Sequence, residues 1–184
     1  MIKNRRLCSV LVVLVTSFFA APVFAHGEST FTTTLSGYNE TTLTLNSPGS
    51  GSFVAKISKD ESSISYTLTY SDLPTNVLQA HIHFGRPGLS GGVALFLCTN
   101  LTPPVGVPTP PPCPIPSGTV SGVLTAADVI ALPAQGIDAG AAGFAEMIKA
   151  LRNGAAYANV HTMQRPGGEI RGPLGKQSDD EDDD

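Results

Sequence analysis

The sequence predicts a mainly β domain: an antiparallel sandwich or barrel-like sheet with one short helical insertion over about 125–152. Three observations carry that expectation. Two neighbouring segments alternate strictly between apolar and polar residues, a period of two that only a half-buried strand produces. Further short apolar runs are set off by turns rich in Gly, Pro and Ser, as in all-β architectures. Helical spacing is confined to a single window.

In order along the chain, "TFTTTLSG" (30–37) reads as a first strand and "SFVAKIS" (52–58) as a second. "SISYTLTY" (63–70) follows across the turn-like "KDES". In that third strand Ile64, Tyr66, Leu68 and Tyr70 share one face, and Ser63, Ser65, Thr67 and Thr69 the other. Strands are then expected at 77–85, 92–99, 118–124, 155–162 and 168–174. The helical window opens at "TAADVIAL" (125–132), where Thr125 is an N-cap candidate with Asp128 three residues on. It continues in "AGFAEMIKALRNG" (142–154), with Phe144, Ile148 and Leu151 at helical spacing and Gly154 as terminator.

Both ends of the chain differ from this body. The first 25 residues have the form of a secretory signal peptide. Lys3, Arg5 and Arg6 precede an apolar stretch too short to cross a bilayer, and Val23-Phe24-Ala25 offers small residues at a cleavage position. The expected product is secreted or periplasmic, begins at His26, and has no membrane span. At the other end, residues 176–184 form an acidic tail expected to be disordered, holding Asp179, Asp180, Glu181, Asp182, Asp183 and Asp184. The domain itself is expected over 26–175. Apart from the tail it is nearly neutral, and no basic patch exists to bind nucleic acid. Past the leader only Cys98 and Cys113 remain. An oxidising compartment favours their pairing as a disulfide that pins the proline-rich loop 98–113 to a strand end.

Taken together the segments resemble the CHRD domain, named from chordin. The matching stretches are "TTTLSGYNE", "GSGSFVAKIS", "SISYTLTYSDL", "AHIHFGRPGLSGGVALFL", "SGTVSGVLTAADV" and "NGAAYANVHTMQRPGGEIRGPL". What the resemblance implies is an extracytoplasmic β-sandwich-like module, a non-catalytic binding or envelope component. Its partner would be an extracytoplasmic protein or ligand.

The histidines raise a second possibility. In "AHIHFG" the pleat puts His81 and His83 on one face with Gln79, opposite Ala80, Ile82 and Phe84. In "YANVHT" Tyr157, Asn159 and His161 share a face, and Glu169 and Arg171 do so in "GEIRG". If those faces form one polar surface, away from the interior, His81, His83 and His161 converge. Three imidazoles so placed are a ligand set for copper or zinc. Glu169 would be a fourth ligand or an acceptor that orients an imidazole, an N-terminal His26 could chelate copper through its amine and imidazole, and Gln79, Asn159 and Arg171 would form a surrounding polar network. Directly opposed Cβ atoms of His83 and His161 would stand about 4.5–5.5 Å apart. Binding of Cu(II) or Zn(II) would weaken as pH falls through about 6.5. "HIHFG" is also similar to the paired copper ligands of the Cu,Zn superoxide dismutases, but three histidines are too few for a dinuclear centre. The competing reading is a hydrogen-bonded network that only fixes strand register.

Overall fold

The computed structural model describes residues 29–175; the signal-peptide assignment, His26 and the acidic tail lie outside them. Eight strands form one antiparallel sheet: β1 (Ser29–Ser36), β2 (Ser50–Ile57), β3 (Ile64–Ser71), β4 (Val77–Phe84), β5 (Gly92–Thr99), β6 (Gly118–Leu124), β7 (Ala156–Thr162) and β8 (Ile170–Leu174). Their order is β5-β4-β7-β8-β1-β2-β3-β6, which brings the two edge strands β5 and β6 round towards each other in a nearly closed barrel. Every strand expected from the sequence is present, with no end displaced by more than two residues.

The alternation in β3 sorts as its chemistry requires. Ile64, Tyr66, Leu68 and Tyr70 are buried against Phe53, Ala55 and Ile57 of β2. The outer face pairs hydroxyls instead, Thr67 with Ser121 at 3.0 Å and Thr69 with Thr119 at 2.9 Å. The seam between the edge strands is closed by side chains and loop. Tyr66 donates its hydroxyl to the Leu97 carbonyl of β5 at 2.6 Å, and Tyr70 donates to Pro114 at 2.6 Å. The Cys98–Cys113 disulfide forms as expected. Within its loop Thr99 N–H reaches Pro111, and the Asn100 amide reaches Cys113 at 3.0 Å.

The helical insertion is shorter than its window. Thr125 and Asp128 do make a capping box, but it opens only one 3-10 turn, Ala126–Asp128. The chain there is drawn back onto the sheet by a bond from Ile130 N–H to the Ala94 carbonyl, and Pro133 then forbids continuation of an α-helix. The single α-helix among the described residues, α1 (Gly140–Arg152), packs Phe144, Met147, Ile148 and Leu151 into the core. It ends at Asn153, with Gly154 at φ 64°, the left-handed conformation that stops a helix.

Candidate metal centre

Strands β4, β7 and β8 lie side by side, so their outer-facing residues form one patch. The register sets His81 opposite Asn159, His83 opposite Tyr157 and Gln79 opposite His161; Asn159 in turn faces Arg171. His83 and His161 are therefore not a directly opposed pair, as the strand argument allowed; His81 lies diagonally between them. The three rings nevertheless meet. Centroid separations are 4.9 Å for His81–His161, 5.4 Å for His81–His83 and 5.7 Å for His83–His161. One ring nitrogen from each lies within 4.8 Å of the others. Register shifts on either side of the His81–Ile82 pair in the β4–β5 ladder fall at these positions, the kind of irregularity that twists a strand and re-aims its side chains.

The shared face is as expected, but the exposure is not. His81 is 0 % exposed, and His83 and His161 are each 6 % exposed, so the patch is interior. Loops provide the cover. Arg171, itself buried, lays its guanidinium on the Tyr157 ring at 3.3 Å, and Tyr157 stacks in parallel on His83 at 4.6 Å. The same guanidinium donates to the carbonyls of Leu89 at 2.7 Å and Arg86 at 3.3 Å, and to the Thr41 hydroxyl at 3.0 Å. It thus fastens two loops over the histidines. Phe96 of β5 closes the remaining side, edge-on to His81 at 4.2 Å.

Two of the rings are fixed in one tautomer. His83 Nδ1 lies 3.0 Å from the Gly91 carbonyl, and His161 Nδ1 lies 3.0 Å from the Pro166 carbonyl. A carbonyl only accepts, so Nδ1 carries the hydrogen and Nε2 keeps a lone pair. Those Nε2 atoms, and both ring nitrogens of His81, are buried without a hydrogen-bond partner. Burial holds the rings neutral: His81 is pushed down to about 2 and His83 to about 4, and His161 is lowered too. Protonation of the rings on acidification accordingly starts well below the 6.5 of free imidazoles.

The neighbouring polar residues divide. Glu169 is buried, but its Oε2 accepts the Thr162 hydroxyl at 2.9 Å and is not one of the converging ligand atoms. Gln79 is only half-buried. Asn159 sits beside Glu40, which the sequence did not single out. A side chain at Gly168 would meet both the Asn159 amide and the Glu40 carboxylate at 2.8 Å. Burial raises the Glu40 carboxyl to about 7 against the opposing pull of Arg171. Phe96, Tyr157 and the two carbonyl anchors were likewise not assigned to the site. Tyr157 alone left a signal, its place on the histidine face.

A family model described as the CHRD domain matches residues 31–174. No curated protein and no solved structure matches the chain.

Proposed function

The chain belongs to the CHRD domain family, and on that premise we propose that it acts outside the cytoplasm as a metal-binding module. It holds one copper or zinc ion on His81, His83 and His161. The observation that carries this reading is the set of imidazole nitrogens that converge, buried and unpartnered, at the centre of the patch. A purely structural network predicts the opposite, because buried polar atoms that only hold a fold together find partners. Here the Nδ1 atoms of His83 and His161 do so and the Nε2 atoms do not. That division is what metal-bound histidines show, one nitrogen held by a backbone acceptor and the other left for the ion.

No reaction is assigned to the site; its role is to bind. The leader-like first 25 residues and the disulfide support a secreted or periplasmic setting. Glu169 supports the site through Thr162, whose hydroxyl also accepts from the Arg165 N–H in the loop that carries Pro166. The second reading, a module for an extracytoplasmic protein or ligand, rests on family membership alone.

The test is calorimetric titration of chelator-stripped protein with Zn(II), Cu(II) and Cu(I). One ion per chain is expected, bound at least a hundredfold more weakly by His83→Ala and His161→Ala. Absence of uptake for all three ions ends the proposal. Uptake that survives both substitutions moves the site elsewhere, to His26 or the acidic tail.

A further inference from the structure

Resting on the three-imidazole reading above, we infer that the centre selects monovalent copper, Cu(I), over the divalent ions Zn(II) and Cu(II). Among the described residues the donor group contains three neutral imidazoles and neither a carboxylate nor a thiolate. The two nearby acids are directed elsewhere, Glu169 to the Thr162 hydroxyl and Glu40 to the side of Asn159 and Gly168. A zinc ion takes four ligands, with water as the fourth where protein supplies three. Full burial of His81 and near-complete burial of the other two leave little access for that water. A d¹⁰ ion of single charge is satisfied by three nitrogens.

Charge points the same way. The solvation lost on burying an ion grows as the square of its charge, so a divalent ion loses about four times what a monovalent ion of like size does. No anion in the donor group repays the difference. A fixed cation adds to it. Arg171 stands 3.3 Å from the Tyr157 ring centre, and that ring stands 4.6 Å from His83, so the guanidinium lies within about 8 Å of the His83 ring. At an effective dielectric constant of ~20, one extra positive charge at that distance is disfavoured about thirtyfold. Against His81 stands the apolar ring of Phe96, which offers no counter-charge.

The experiment compares affinities by chelator competition on the full chain carrying Cys8→Ser, which removes the thiol that would compete for copper. Cu(I) is maintained under argon with ascorbate, which leaves the disulfide intact. Cu(I) is expected to bind at least a hundredfold more tightly than Zn(II) or Cu(II), and X-ray absorption is expected to show three nitrogen ligands and no fourth. Arg171→Met should narrow the Cu(I)-to-Zn(II) ratio by about thirtyfold, whereas Arg171→Lys, which keeps the charge, should preserve it. Zn(II) or Cu(II) binding as tightly as Cu(I), or a four-coordinate Cu(I) spectrum, overturns the selectivity while leaving the three-histidine site standing. Failure of every ion to bind overturns both.

Discussion

Acidifying the metal-free protein should destabilise it steeply below pH 6.5, and the magnitude follows from the buried imidazoles. In the unfolded chain each histidine takes up a proton near the ordinary imidazole value of 6.5. In the folded state His83 resists to about 4 and His81 to about 2. Between those limits the unfolded state binds more protons, so stability falls as pH falls, by about 1.4 kcal/mol per pH unit for each ring. From pH 6.5 to 4.5 that is roughly 2 kcal/mol each, on the order of 4 kcal/mol for the pair, and His161 adds in the same direction. Glu40 opposes them. Its carboxyl is raised from 4.5 to about 7, so its burial penalty is relieved as pH falls through that window. For a half-buried group that relief offsets at most about 3 kcal/mol, less after solvent screening. The net loss is a sizeable part of the roughly 5–15 kcal/mol of a typical domain. Urea unfolding of chelator-treated protein at pH 7.0, 6.0, 5.0 and 4.5 measures it. A free energy that stays within 1 kcal/mol from pH 6.5 to 4.5 would refute the reasoning, because the rings would then have to be solvated.

Three other outcomes are expected. Replacing Cys98 and Cys113 with Ser opens a 15-residue loop and should cost about 3 kcal/mol in chemical denaturation; an unchanged midpoint would mean that the loop's hydrogen bonds suffice. Tyr66→Phe strands the Leu97 carbonyl inside the barrel and should cost on the order of 1–3 kcal/mol by the same assay. Gly168→Ala places a Cβ against Asn159 and Glu40 at φ 131°, and should lower both thermal stability and metal affinity; wild-type values for both would show that this loop does not shape the site.

The strands were legible because both readable signals, period two and turn punctuation, act locally. In β3 every second residue is buried, as the alternation of Ile64, Tyr66, Leu68 and Tyr70 requires. The common face of His81, His83 and His161 was legible for the same reason. Their burial was not. The cover comes from the segments around Thr41, Arg86–Gly91 and Pro166–Gly168, which have no periodicity and are held by long-range bonds to Arg171 and by short-range bonds to the ring nitrogens of His83 and His161. Strand β4 thus has two buried faces, and alternation cannot separate an exposed polar face from one roofed by loops. Helical spacing failed at 125–132 in a similar way: the cap was local and correct, but the pull of Ala94 on Ile130 came from another strand.

The almost-closed barrel has one further implication. Its first and last strands in sheet order, β5 and β6, are bridged by no ladder; tyrosine hydroxyls of the neighbouring β3 reach Leu97 of β5 and Pro114, and a proline-rich clasp closes the gap. Strand edges kept apart in this way are templates for other chains once the clasp is released. A molecule that never acquires its cystine is therefore expected to fail first by sticking to its own kind, before its imidazoles are disturbed.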